Sequence, residues 1–241
     1  EYYSLYKSLL DAQVTDNGNP GAGPYFQLQV DGVYLPLQLI GICQDTKSDG
    51  TGKAGLTFQM RDIYAHNSIR SSAAGGGAFL TQMNASSTSV GGWNSTALRS
   101  SLRSAFWNYL PAKMRADIET VNKYQQLPGN TTATYLQRTT NETVWLPSVY
   151  EVFGTKISNY NESEALAANG NVPFQYMAYQ GSPSSTTNTR FMKAYNDSMN
   201  NQWLRSANRG HNTNFCFVTS SGSCNNGSAS GTPGISPCFC L

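Results

Sequence analysis

The closing 36 residues, from Ser206 to Leu241, contain no Lys, Glu, Gln, Met or Trp, yet they are held between apolar anchors. Trp203-Leu204-Arg205 leads into them, Phe215-Cys216-Phe217-Val218 interrupts them, and Ile235-Ser236-Pro237-Cys238-Phe239-Cys240-Leu241 ends them. In the final run Ile235, Pro237, Phe239 and Leu241 fall on one face while Ser236, Cys238 and Cys240 fall on the other, the period-two signature of a strand. Phe215 to Val218 reads as a second short strand, with Phe215 and Phe217 on one face and Val218 on the other. A disordered tail or a linker lacks such anchors. The stretch therefore requires a packed scaffold to which polar loops are pinned.

The missing residue types carry their own information. About one in six of the 205 preceding residues is Lys, Glu, Gln, Met or Trp, a rate that would place about six in the tail. Every type the tail does contain can be reached from the Asn codons AAC or AAT by replacing adenines alone, and Lys, Glu, Gln, Met and Trp cannot. This is the footprint of adenine-directed mutagenesis acting on an Asn-rich template. The competing reading is a Gly/Ser/Asn-rich loop region that lacks long side chains by chance.

At 241 residues the chain can bury one sizeable core. Charged residues make up only 12%, about half the usual share. The net charge of +2 is spread over scattered basic residues, so nothing draws the chain to nucleic acid or to an acidic membrane surface. No apolar run approaches the roughly 20 residues of a spanning helix, and no membrane insertion is expected. Low charge together with abundant Asn, Gly, Ser and Tyr matches an extracellular recognition surface better than a cytosolic enzyme. Starting at Glu1 without Met or a signal peptide, the chain reads as a processed or excised C-terminal piece of something longer. A homo-oligomer, if formed, would be built through the region before Glu1.

Along the chain, residues 1–23 form an N-terminal helix and linker in this reading. Tyr2, Tyr3, Leu5, Tyr6, Leu9 and Leu10 supply the helical pattern, and the Gly/Pro/Asn-rich stretch from Asp16 to Pro24 breaks it. Residues 24–241 make one domain. Tyr25 to Val30 and Val33 to Ile40 form a hairpin across Asp31-Gly32, followed by a polar loop from Gln44 to Lys53 and a strand from Gly55 to Met60. Asp45 and Asp49 are too few oxygen ligands for a calcium loop, so a turn is expected there. The clearest helix, capped by Ser95, carries Leu98, Leu102, Ala105, Phe106 and Tyr109 on one face. Pro111 opens a short helix running to Ile118. Val144 to Leu146 reads as a strand, Ser148 caps a helical turn through Phe153, and Ser158 to Ser185 is polar loop.

Chemistry-bearing motifs are scarce. The five cysteines (Cys43, Cys216, Cys224, Cys238, Cys240) show no zinc-ligand spacing, and His66 and His211 add none. Cys238 and Cys240 share a strand face and are poorly placed to bond each other, although either could meet Cys216 across a sheet. Free or opportunistically paired thiols are expected. Seven sequons, at Asn84, Asn94, Asn130, Asn141, Asn161, Asn196 and Asn226, are too easily produced by this composition to carry weight. No nucleophile elbow, HExxH, P-loop or dinucleotide fingerprint is present, and Glu162 with Glu164 reads as solvated loop charge. No enzymatic activity, metal or cofactor is expected.

The hairpin at Leu35 to Gln38 and the segments DGTGKAGLTFQM, GGWNSTALRSSLRSAFWNYLP and VWLPSVYEVFG, with WLRSAN, FCFV and PCFCL in the tail, resemble a domain of gut-bacterial and prophage proteins. That domain is similar to the C-type-lectin-like fold shared with formylglycine-generating enzymes. A subset of such proteins are variable proteins of diversity-generating retroelements, in which a reverse transcriptase writes adenine errors into the C-terminal coding segment. The resemblance spans roughly Pro24 to Leu241. It implies an α+β, C-type-lectin-like fold of small mixed sheets with two main helices and long loops, and a variable segment at residues 206–241. It makes Trp203, Leu204, Arg205, Phe215, Val218, Gly234, Pro237 and Phe239 scaffold, with Trp203 and Phe239 as core anchors and Arg205 satisfying buried carbonyls or a carboxylate. It makes Arg209, His211, Thr213, Asn214, Phe217, Thr219, Ser221, Ser223, Cys224, Asn225 and Thr232 the varied, ligand-facing positions, with Phe217 divided evenly between face and core.

The expected role is a diversified receptor-binding or adhesion domain on a phage tail or a bacterial surface, engaging a host-surface or environmental protein or glycan. The alternative is a non-diversified structural domain of a phage or cell-surface protein. A formylglycine-generating type of enzyme is a remote third, because its paired cysteines would have to be Cys238 and Cys240, inside the segment where mutation is directed.

Overall fold

Apolar residues on alternate positions drive the first strands together. β1 (Phe26–Val30) and β2 (Val33–Ile42) pair antiparallel, from Phe26 opposite Leu37 to Val30 opposite Val33. The structure, a computed structural model, describes residues 26–30, 33–64, 81–129, 136–139, 141–154, 191–195 and 198–241. The N-terminal helix and linker at 1–23, the turn at Asp31-Gly32, the acidic pair Glu162 and Glu164 and the Ser158–Ser185 loop fall outside these residues.

β2 continues into an antiparallel pairing with β3 (Leu56–Met60), with a register irregularity between Leu39 and Gly41. On the other side of β3 lies β11 (Cys238–Cys240), giving the sheet order β1-β2-β3-β11. Rings bind this sheet across its strands. Phe58 stacks on Phe239 at 5.8 Å and meets Phe26 edge-on at 5.2 Å, geometries that add about 0.5–1.5 kcal/mol each beyond burial. The closing run does not divide into a wet and a dry face. Ile235 to Cys240 are all buried, because Trp145 covers the outer edge of β11, with Trp145 backbone N–H donating to Cys238 O at 3.0 Å and Cys238 backbone N–H donating to Trp145 O at 2.8 Å.

That exchange also corrects the expected strand at Val144 to Leu146. It is a single bridge between Trp145 and Cys238, with all three side chains fully buried. Cys238 and Cys240 sit in this sheet and Cys216 in another, so no disulfide forms among them, and all five cysteines are free thiols.

The main helix begins one residue later than expected. Ser95 belongs to a 3₁₀ turn (Trp93–Ser95), and Thr96 is the cap, its hydroxyl accepting from Arg99 N–H at 3.1 Å. α1 (Ala97–Ser101) passes through a π turn (Leu102–Phe106) into α2 (Trp107–Tyr109). Leu98, Leu102 and Phe106 are buried, and Tyr64 meets Phe106 edge-on at 4.9 Å. The wider π turn rotates the residues beyond it about the helix axis, so Tyr109 leaves the apolar face and is 40% exposed while Leu110 takes the core position. α3 (Ala112–Asp117) comes after Pro111 and buries no residue fully. α4 (Val149–Phe153) opens with a complete capping box. Ser148 Oγ accepts from Glu151 N–H at 3.1 Å, Glu151 Oε2 accepts from Ser148 N–H at 2.8 Å, and Gly154 closes the helix at φ 66°.

The tail forms a second sheet of order β10-β9-β8, made of β8 (Gln202–Ala207), β9 (Asn214–Val218) and β10 (Cys224–Ser228), all antiparallel. Two small pairs flank it, β4 (Tyr124–Gln126) with β5 (Leu136–Arg138) and β6 (Lys193–Tyr195) with β7 (Ser198–Asn200). The architecture is α+β, small mixed sheets with few short helices. Among the described residues no helix is long and apolar enough to cross a membrane.

Candidate ligand-binding face

β8 is buried along its whole length and carries the anchors of the tail. Trp203 is fully buried, and its indole N–H donates to Thr81 O at 2.9 Å. Arg205, also fully buried, donates to Tyr124 O at 2.9 Å and Leu146 O at 2.8 Å and forms an ion pair with Glu151. It thus satisfies both carbonyls and a carboxylate.

Glu151 pairs as well with Lys123 at 2.8 Å, and Lys123 pairs with Asp45, whose other oxygen accepts from Thr57 Oγ at 2.6 Å. Two cations and two anions thereby cancel inside the core. Burial would raise the Glu151 carboxyl, but Arg205 and Lys123 outweigh it and hold it down at about 2. Burial would lower the Lys123 ammonium, but Asp45 and Glu151 outweigh it and hold it above its ordinary value. Each partner depends on the other, since a buried charge left alone costs about 3–5 kcal/mol. This frame fixes β8 against α4, and β8 in turn fixes the hairpin of β9 and β10.

All eight scaffold candidates are buried: Trp203, Leu204, Arg205, Phe215, Val218, Gly234, Pro237 and Phe239. Gly234 has a steric reason to be glycine, because a Cβ there would lie 2.6 Å from Ile63 Cγ2. None of the eleven face candidates is buried. His211, Thr213, Ser221 and Asn225 are exposed, and Arg209, Asn214, Phe217, Thr219, Ser223, Cys224 and Thr232 are half-buried. Phe217 belongs to neither extreme. It packs edge-on against Trp203 at 5.8 Å and leaves part of its ring outside, beside Asn225 on the paired strand.

The face divides into two clusters at opposite ends of β9, a strand five residues long and so about 17 Å. At one end lies the β8–β9 loop with Arg209, His211 and Thr213. Buried Asn208 ties it, Oδ1 accepting from Gly210 N–H at 2.8 Å, and Arg209 O accepts from Gly129 N–H at 2.8 Å. Asn214 joins this cluster to β10 through Nδ2 donating to Asn226 Oδ1 at 2.6 Å. At the other end the β9–β10 turn closes on itself. Thr219 Oγ accepts from Ser223 N–H at 2.9 Å, Thr219 and Ser221 hydroxyls meet at 2.9 Å, and Gly222 N–H donates to Thr219 O at 2.9 Å. Thr232 lies by this second cluster, sharing a cavity wall with Ser220.

Both ends are therefore loops held by hydrogen bonds, one bearing Arg209 and His211 and the other small hydroxyl groups. Sequence reasoning missed Ser220 and the pre-tail residues Met199, Asn200 and Asn201 on the same cavity, since nothing in their local pattern marks them. Cys238 and Cys240 stand apart from the face. Burial pushes both thiols up, and the neutral thiol is a poor nucleophile. Among the described residues no group of three or more His, Cys, Asp and Glu is placed to hold a metal ion.

Fold and site together define a small α+β domain whose buried charged frame holds a two-ended polar surface. The chain belongs to the family described as Domain of unknown function (DUF6273), whose model matches residues 56–241. Comparison with curated proteins and with solved structures brings no match.

Proposed function

We propose that the chain is a diversified ligand-binding domain, a receptor-binding or adhesion module displayed on a phage tail or a bacterial surface. In this reading the scaffold is C-type-lectin-like, and the ligand is a host-surface or environmental protein or glycan. The observation that carries it is the division of burial within residues 206–241. Positions that hold the backbone are dry, and positions read as mutable are exposed or half-buried, on the two loops flanking β9, on β9 and β10 themselves and, for Thr232, beyond β10. Lys, Glu, Gln, Met and Trp, absent from the tail and unreachable from Asn codons through adenine changes, point the same way. Small hydroxyl and amide groups with one partly exposed ring suit adaptable recognition.

Deep sequencing of the gene from one natural population tests this. Substitutions should concentrate at adenine-derived codon positions between Asn208 and Ser236, at exposed and half-buried sites, sparing Phe215, Val218 and Ile235. Variation spread evenly along the gene, or absent from the tail, would replace this reading with a fixed structural domain.

A further inference from the structure

A cavity of about 410 Å³ opens beside the β9–β10 turn, lined by Met199, Asn200, Asn201, Ser220, Thr232 and Pro233. Its volume lies in the ~300–1,000 Å³ range of small-ligand pockets. Half the lining precedes the tail and half belongs to it. The walls are tied together: Asn201 Oδ1 accepts from Ser220 N–H at 3.0 Å, and Asn201 O accepts from Gly234 N–H at 2.8 Å. The site is thus formed before any ligand arrives, which lowers the ordering cost of binding.

Among the described residues the lining bears no charge. Its polar groups have defined or adaptable hydrogen-bond sense. With Oδ1 turned to Ser220, Asn201 retains Nδ2 as a donor. Asn200 Nδ2 donates to Ser198 O at 2.8 Å, which leaves Oδ1 as an acceptor. The hydroxyls of Ser220 and Thr232 make no hydrogen bond with any described residue and can serve either way. Met199 and Pro233 supply apolar surface. Fixed donor, fixed acceptor, two hydroxyls and an apolar patch match a sugar ring, whose hydroxyls both donate and accept and whose C–H face is apolar. An anionic ligand would find no cation among the described lining residues to offset its desolvation.

We infer that this cavity is a subsite for a neutral saccharide, with the pre-tail residues recognising the ring and Ser220 and Thr232 setting which sugar is preferred. That division of labour rests on the tail being a variable binding face; the ligand class does not.

The test is a glycan array carrying neutral, sialylated and sulfated oligosaccharides, probed with the full chain and with Thr232→Val, Asn200→Ala and Lys113→Ala, all confirmed folded by thermal melting. Neutral glycans should be bound. Thr232→Val and Asn200→Ala should each weaken that binding about tenfold, the loss of one hydrogen bond, and Lys113→Ala on α3, away from the face, should leave it unchanged. Binding of acidic glycans alone, or of none, overturns the inference, as does neutral binding that both cavity variants retain. If sugars bind through the cavity while population sequencing finds the tail invariant, the subsite stands and the diversification reading falls.

Discussion

Lys193 is fully buried with its ammonium on Met60 O at 3.0 Å and Gln38 Oε1 at 3.2 Å, and among the described residues it has no ion-pair partner. Burial is the main reason its pKa falls to about 8 from 10.5. The unfolded chain therefore binds more protons than the folded one between about 8 and 10.5. The contribution of Lys193 to stability should rise as pH climbs through that window and reach its full value above the unfolded pKa. The buried Cys238 and Cys240 thiols act in the opposite direction, so the Lys193 part is read as the difference from Lys193→Met. The whole change is on the order of 3 kcal/mol. Lys193→Met should abolish the rise and stabilise the protein at pH 7. Chemical denaturation from pH 7 to 10.5 measures both, and parallel curves for the two proteins would show that Lys193 is not the titrating group.

At the scale of elements, Glu151 ties α4 to β8 and to the β4 region at once, capping Ser148 while neutralising Arg205 and Lys123. Its carboxyl is held at about 2 against 4.5, so the stability it contributes is complete above about pH 4.5 and lost as pH falls toward 2. Glu151→Gln should cost about 3–5 kcal/mol at neutral pH, because buried Arg205 loses its carboxylate and Lys123 one of its two, and should flatten the acid limb between pH 4.5 and 2. A loss below ~1 kcal/mol in urea denaturation would mean that the frame relaxes around the change. Ser148, Pro111 and the hairpin strands were legible in sequence because each acts on residues within a few positions of itself. Thr96 displaced Ser95 because the 3₁₀ turn uses up Ser95, and Tyr109 turned outward because no local pattern announces a π turn. The frame itself was illegible beyond Arg205's need for a partner. Lys123 finds Asp45 78 residues away, and Arg205 finds Glu151 54 residues away. The cavity was hidden for the same reason, since it brings Asn201 to Ser220 across a turn.

Over the whole molecule, the tail is both surface and core. Face positions should tolerate change and anchors should not. His211→Ala, Thr213→Ala, Ser221→Ala and Asn225→Ala should each stay within about 0.5 kcal/mol of the parent, while Phe215→Ala and Phe239→Ala should cost about 3–5 kcal/mol. Equilibrium urea unfolding of the six variants separates the groups, and a face substitution costing more than ~1 kcal/mol would count against a surface free to vary.

β11 gives this arrangement a further consequence. It lies against β3, with Thr57 and Cys240 in contact although 183 residues apart, so the first sheet cannot close until the end of the tail has left the ribosome. Until then β3 is an open edge, the kind of surface that proteases and chaperones act on. A chain truncated before β11 never closes this sheet. Folding thereby acts as a check on the tail: residues 26–60 reach a closed sheet only in a chain that carries residues 238–240.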